Sequence, residues 1–186
     1  MTIKIILPKT YYEDKNYSDD PVFFLAGPIK GGEDWQQKCF NELKKHINAF
    51  TVVIPCTYDS NHNLFVYRVS GDENIIHRQT LWERYYLKKV AERKNGCIIF
   101  WLPCESKLNP RKDGSPYARD TYGELGEWRG RMINNPDLHI VIGAESGFPG
   151  LSQIQVNFND ALQKEFSILN SLQETVLAAI KITSIV

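Results

Sequence analysis

The sequence predicts one α/β domain over residues 1–186, a three-layer sandwich with a parallel sheet of four or five strands. Short apolar runs alternate with amphipathic helical patterns, as in a sheet covered on both faces. Residues 97–102 are apolar throughout, which indicates a central strand buried on both sides. The core of the domain is predicted over about residues 22–143, with a helical extension over about 151–186.

Each predicted strand is an apolar run that ends at a proline or a glycine. The runs are 22–26 before Gly27, 51–54 before Pro55, 97–102 before Pro103 and 139–142 before Gly143. An earlier run, residues 3–7, is a candidate for an extra edge strand, and a polar loop is predicted over 11–20.

Helices are predicted between the strands, where apolar residues recur at helical spacing. They cover about 35–47, about 74–93 and the segment from Thr121 onward, and one or two more follow Leu151. Two long loops, 56–72 and 104–120, come directly after strands. The arrangement predicts a flavodoxin-like or Rossmann-like fold, in which ligands bind outside the carboxyl ends of the strands.

Composition excludes several classes of partner. The 22 basic and 22 acidic side chains cancel, which argues against nucleic acid or an anionic membrane as the main partner. No run approaches the roughly 20 apolar residues of a membrane span, and the N-terminus does not resemble a signal peptide. The four cysteines form no C-x-x-C pair and are predicted to be buried free thiols. We therefore expect a cytoplasmic protein.

No cofactor or metal is predicted. The glycine-bearing turn from Leu25 to Gly32 could bring its backbone close to a ligand, but it matches neither the dinucleotide nor the triphosphate fingerprint. A plain tight turn is an equally good interpretation of this segment. The four histidines show no metal-binding spacing.

Glu124 is the first candidate for chemistry, because it follows the loop after the central strand. The structural alternative is a capping box, in which Thr121 and Glu124 bond the free amides of a helix start. Gly123 and Gly126 favour a ligand site, since glycine lowers helix stability by roughly 1 kcal/mol and removes bulk around the carboxylate.

Glu83 is the second candidate acid. Its structural alternative is an exposed helical glutamate that pairs with a lysine such as Lys88. Two carboxylates at one rim suit displacement at a sugar carbon, where one attacks or stabilises the oxocarbenium-like centre and the other handles the proton of the leaving group.

The chain resembles the nucleoside 2-deoxyribosyltransferase-like family over about residues 22–143. The resemblance rests on an ordered set of short motifs: Phe24-Leu25-Ala26-Gly27-Pro28, Trp35, Pro55, Arg78-Gln79-x-x-Trp82-Glu83, Ile99-Phe100-Trp101-Leu102-Pro103 and Thr121-x-x-Glu124-Leu125-Gly126.

The resemblance implies cleavage of the N-glycosidic bond of a 2'-deoxynucleoside and transfer of the sugar to a free nucleobase. Glu124 matches the family's nucleophile, and Glu83 resembles the acid that assists at the sugar or the leaving base. The resemblance also implies a homo-oligomer. It places seven residues at the substrate: Ala26, Gly27, Pro28, Arg78, Trp82, Asp120 and Thr121.

Two other functions stay open. In an N-glycoside hydrolase of nucleotides, water would resolve the same intermediate, and Arg78, Arg119 or Lys30 would hold a 5'-phosphate. A non-catalytic nucleotide-binding module would keep the fold alone. The second is suggested by Phe23 and Phe24, which stand where the family commonly has a tyrosine, and by the shifted position of Asp120.

Overall fold

The protein is an α/β sandwich in a computed structural model that describes residues 2–12, 19–74 and 78–184. Within these ranges, six parallel strands form one sheet: β1 Ile3–Ile6, β2 Val22–Ala26, β3 Phe50–Val53, β4 Gly96–Leu102, β5 Ile140–Ala144 and β6 Ile168–Leu169. The helices are α1 Trp35–His46, α2 Gln79–Ala91, α3 Arg119–Asn134, α4 Leu151–Leu162 and α5 Leu172–Thr183, with a 3-10 turn at Phe65–Tyr67.

The strand order confirms the predicted fold class. The order is β1-β3-β2-β4-β5-β6, and without β1 it is the flavodoxin-like doubly wound order. The sheet has six strands, more than the four or five predicted. The candidate edge strand is present as β1, whereas β6 lies in a segment predicted to be helical. Two residues are too short to give a periodic signal, so β6 could not be predicted.

Side chains alternate between the two faces of the sheet and form two cores. Phe24 and Phe100 pack with α2, α3 and α4, while Phe23 and Ile99 pack with α1 and α5. Every residue of β4 is buried, as predicted for the central strand. The regular alternation fixes the register of the sheet, because a slip by one residue would exchange the two faces.

The C-terminal helix α5 belongs to the sandwich. Val176 and Ala179 are fully buried, and α5 packs against β4, β5 and α1. The segment from Leu151 contains two helices with β6 between them, and its last helix completes one of the two outer layers.

Two predicted segments fall partly outside the described residues. Residues 13–18 of the predicted loop are among these, as are residues 75–77 near the predicted start of the second helix. In the part of the chain that is described, no helix has both the length and the apolar character needed to cross a membrane.

Candidate active site

A cleft of about 590 Å³ opens at the carboxyl ends of the strands. It lies at the end of β2, whose neighbours in the sheet are β3 and β4, and the strand order reverses between β2 and β4, where ligands bind in doubly wound sheets. Its walls come from the turn after β2, the segment after β3, the start of α2, the 104–118 loop and the start of α3. The residues that line it include Ala26, Gly27, Pro28, Lys30, Pro55, Cys56, Gln79, Glu83, Arg111, Ala118, Asp120, Thr121 and Glu124.

The turn after β2 is held by close backbone contacts. Gly27 has φ 146°, and a Cβ there would lie 2.2 Å from the carbonyl oxygen of Trp101. The indole Nε1 of Trp35 donates to the Pro28 carbonyl oxygen at 2.8 Å. Only glycine satisfies both the angle and the space, so the turn can bring its backbone to the cleft floor.

Asp34 ties the segment after β3 to the start of α1. Its Oδ1 accepts from the backbone N–H of Gln37 at 3.0 Å and from the Tyr58 hydroxyl at 2.7 Å. Its Oδ2 lies 3.0 Å from Nε2 of His62, whose ring stacks on Tyr58 at 3.8 Å. Asp34 ends the turn after β2, and the segment after β3 has Cys56 at the cleft, so one carboxylate joins these two walls.

Cys56 is poorly suited to act as a nucleophile. Burial, and then the nearby charge of Asp34, raises the pKa of the thiol to about 11, so it stays protonated near neutral pH. Cys39 and Cys97 are buried free thiols as predicted, whereas Cys56 and Cys104 are free but only half-buried.

The capping-box interpretation of Glu124 is wrong. Helix α3 begins at Arg119, two residues before Thr121, and its N-cap residue Ala118 makes no side-chain cap bond. Ala118 has φ 57°, so the chain turns sharply into the helix beside the cleft. Glu124 is therefore inside the helix rather than in its first turn, and both Thr121 and Glu124 line the cleft.

Glu124 is a half-buried carboxylate with no side-chain hydrogen bond to any described residue. Burial is the main cause that raises its pKa to about 7, and the charges of Glu83, Asp120 and Glu127 act in the same direction. Near neutral pH the group is therefore divided between its ionised and protonated forms. This is a useful range for a carboxylate in acid, base or nucleophilic chemistry.

The raised pKa predicts a stability change with pH. The folded protein holds the Glu124 proton up to about pH 7, whereas the unfolded chain releases it near 4.5, so stability falls as pH rises between these values. Glu124→Gln removes this loss. We expect the variant to exceed the wild type by roughly 3 kcal/mol in free energy of unfolding at pH 8, and by about 1 kcal/mol at pH 5.

Urea unfolding of both proteins at the two pH values measures this difference. The exposed Glu165, outside the cleft lining, provides the control: Glu165→Gln should change stability by less than about 0.5 kcal/mol at either pH. A constant difference between Glu124→Gln and the wild type would contradict the raised pKa.

Glu83 faces the same cleft and is held by Gln79. The Gln79 amide Nε2 donates to Oε1 of Glu83 at 3.0 Å and to the carbonyl oxygen of Pro55 at 3.1 Å. Burial raises the pKa of Glu83, the Gln79 hydrogen bond lowers it, and Asp120 raises it again. Among the described residues Glu83 has no ion pair, so the proposed pairing with Lys88 is wrong.

Gln79→Met is expected to raise the pKa of Glu83 further. Methionine keeps the length of the side chain but removes the donor to the ionised carboxylate. NMR titration of the side-chain carboxyl carbons would measure the shift. Gln153 donates to Asn157 on α4, outside the cleft lining, so Gln153→Met should leave the Glu83 titration unchanged. A Glu83 pKa that stays the same in Gln79→Met would show that this bond does not act on the ionised form.

Most of the residues predicted for the site lie together. Ala26, Gly27, Pro28, Glu83, Asp120, Thr121 and Glu124 all line the cleft, whereas Arg78 and Trp82 do not. Arg78 is exposed at the N-cap of α2. Trp82 is fully buried, and its indole N–H donates to the carbonyl oxygen of Thr10 at 2.8 Å, so it fixes α2 to the segment that follows β1.

The glycines beside Glu124 do not shape the cleft. Neither Gly123 nor Gly126 lines it, and a Cβ at either position would meet nothing within 4 Å. They lie on the exposed side of α3, so the prediction that they make room for a ligand is wrong.

Gln79 and Arg111 are among the cleft residues that were not predicted from the sequence to belong to the site. Gln79 stands four residues before Glu83, a helical spacing that could have indicated the contact. Arg111 comes from a loop without periodicity, where nothing in the sequence marks its direction.

No protein-family model matches this chain, and no curated protein matches it at a significant level.

Proposed function

We propose that this protein cleaves the N-glycosidic bond of 2'-deoxynucleosides and transfers the deoxyribosyl group to another nucleobase, with Glu124 as the nucleophile. The observation that carries the proposal is the carboxylate of Glu124, which is half-buried, has no side-chain hydrogen bond to any described residue, and faces a cleft that Glu83 also lines. The ordered motifs shared with nucleoside 2-deoxyribosyltransferase-like proteins support the same chemistry.

In the proposed first step, ionised Glu124 attacks the anomeric carbon of the sugar as the bond from that carbon to the base nitrogen breaks. The electron pair of that bond goes to the leaving base, which takes a proton from Glu83. The products are a deoxyribosyl ester on Glu124, a free base and an ionised Glu83.

In the second step, a nitrogen of the incoming base attacks the same carbon and displaces the Glu124 carboxylate. Glu83 accepts the proton that the incoming base loses, so both acids return to their starting forms. Each acid thus needs access to two protonation states near neutral pH. The raised pKa of each carboxyl supports these paired roles.

Gln79 acts as a positioning residue in this mechanism. Its amide joins the Glu83 carboxylate to the backbone at the end of β3, which limits the side-chain rotations available to Glu83. A fixed acid transfers its proton along one direction, so the bond helps to orient proton transfer towards the leaving base.

Hydrolysis of the same bond is the second candidate function. Lys30 and Asp120 line the cleft and are both exposed, so its mouth is open to bulk water. Water that reached the anomeric carbon would release free deoxyribose from the ester on Glu124. Lys30 is also the one member of the predicted phosphate-binding set that lines the cleft, since Arg78 and Arg119 are outside the lining.

The test is to incubate the protein with the four common 2'-deoxynucleosides and their 5'-monophosphates, with and without a second free base, and to follow the bases by chromatography. New nucleoside that requires the acceptor base supports transfer. Free base released without an acceptor, and no exchange when one is added, would assign hydrolysis. Binding without turnover in any combination would reject both and leave a nucleotide-binding module.

A further inference from the structure

Among the described residues, two cationic side chains line the cleft, and both are bound to one carboxylate. Nε and Nη2 of Arg111 donate to Oδ1 and Oδ2 of Asp113 at 2.6 and 3.1 Å. The ammonium of Lys30 lies 3.3 Å from Oδ2 of the same group. Two parallel bonds between a guanidinium and a carboxylate form a firm pair, whereas the exposed lysine pair is weaker.

The Arg111 side chain is enclosed and held from several directions. It is only 7% exposed, and its Nη1 donates to the carbonyl oxygen of Pro116 at 3.2 Å. Its backbone N–H donates to Oε1 of Glu105 at 2.8 Å, and the backbone N–H of Ser115 donates to Asp113 at 3.1 Å. Every nitrogen of the guanidinium therefore has an acceptor within the loop.

The other wall of the cleft is acidic. Glu83, Asp120 and Glu124 line it, against Lys30 and Arg111 on the cationic side. Lys30 and Arg111 already share the single charge of Asp113, so a phosphate dianion would gain less from them than from unpaired cations, and the three acids would repel it. An uncharged ribose or deoxyribose hydroxyl group would meet no such penalty.

We propose that Asp113 is a specificity-determining residue: by holding Lys30 and Arg111, it makes the cleft select nucleosides without a 5'-phosphate over nucleotides. The inference deepens the proposed function and rests on it for the identity of the nucleoside. Asp113 would then determine the substrate class, although it does not line the cleft and takes no part in the chemistry.

Binding affinities on a Glu124→Gln background test the inference without turnover. Calorimetric titration with the four deoxynucleosides and their 5'-monophosphates gives a selectivity ratio for each base. We expect the bound nucleoside to be favoured by at least about tenfold over its monophosphate. Adding Asp113→Asn keeps the side-chain shape and the acceptor for Ser115, but it releases the two cations. We expect this change to lower the ratio by about tenfold or more.

Glu105→Gln is the matched control. It removes the same charge from the same loop, but Glu105 accepts from the backbone of Arg111 rather than from the guanidinium. We expect the selectivity ratio to change by less than about threefold, as for other screened surface charges. An equal change in both variants would show that net charge sets the selectivity, and not the bonds of Asp113 to Lys30 and Arg111. Asp113→Asn combined with Lys30→Met should lose part of the phosphate affinity that Asp113→Asn gains.

The nucleoside selectivity of the Glu124→Gln protein tests the inference even if the added Asp113→Asn substitution prevents folding. Monophosphates that bind as well as nucleosides, or better, overturn the inference, as does a chain that binds neither class. Nucleoside-selective binding that Asp113→Asn relaxes supports it, even where the wild type turns over no nucleoside and the proposed transfer fails. Turnover of nucleotides in preference to nucleosides would keep the glycosidic chemistry and reject the role of Asp113.

Discussion

Glu124→Gln is expected to lower kcat/KM for base exchange by at least about 10³-fold, because a neutral amide cannot form the glycosyl ester. The substitution keeps the shape of the side chain, so nucleoside affinity should change far less than turnover. Chromatography of released and exchanged bases measures the rate, and calorimetry measures the affinity. Intact-protein mass after acid quenching should show one added deoxyribosyl group on the wild type and none on the variant.

Glu127→Gln is the control on the same helix. Glu127 is exposed, pairs with Arg131 at 2.8 Å and does not line the cleft. We expect its kcat/KM to stay within about threefold of the wild type at pH 8, where Glu124 is ionised. If Glu124→Gln retained exchange activity, or if both variants lost it equally, Glu124 would not be the nucleophile.

Gly27→Ala is expected to reduce the free energy of unfolding by about 3 kcal/mol or more. An alanine there would have to hold a φ near 146°, and its methyl group would lie 2.2 Å from the Trp101 carbonyl oxygen. The backbone of β2 or β4 would have to move to relieve the contact. Because the turn forms the cleft floor, ligand affinity should fall with stability, as urea unfolding and calorimetry would show.

Gly114→Ala separates the two causes of that loss. Gly114 also has a positive φ, 73°, but a Cβ there would meet nothing within 4 Å. We expect its loss in unfolding free energy to be about 1 kcal/mol, the effect of the backbone angle alone. Equal losses at Gly27 and Gly114 would mean that the contact with Trp101 relaxes without strain.

The fold could be predicted because it depends on patterns that one sequence displays. The apolar run of residues 97–102 and the stops at Gly27, Pro55 and Pro103 located the strands, and the parallel order followed from the intervening helices. Strand β6 could not be found in the same way, since its two residues pair with β5 only through a tertiary contact. The predicted start of α3 was two residues too late. Ala118, which precedes the helix, has a positive φ, and no glycine or asparagine stands there to indicate such a turn.

The acids of the cleft were found from the sequence, but their surroundings were not. Glu124 was found from the apolar strand and loop that precede its helix, and both Glu124 and Glu83 line the cleft. The pairing of Arg111 with Asp113, by contrast, depends on the path of a loop, and loop paths leave no periodic trace in a sequence. The prediction for Gly123 and Gly126 was wrong because residues close to Glu124 in sequence lie on other sides of the helix.

Asp34 joins two walls of the cleft, the turn after β2 and the segment after β3. Its carboxylate accepts bonds from the first turn of α1, from Tyr58 and from His62, so neither wall can separate from the other without breaking them. Backbone amides in the first turn of α1 and in the segment after β3 should therefore exchange with deuterium through one shared opening event, with similar protection. The mouth of the cleft would then behave as a single cooperative unit rather than as two independent loops.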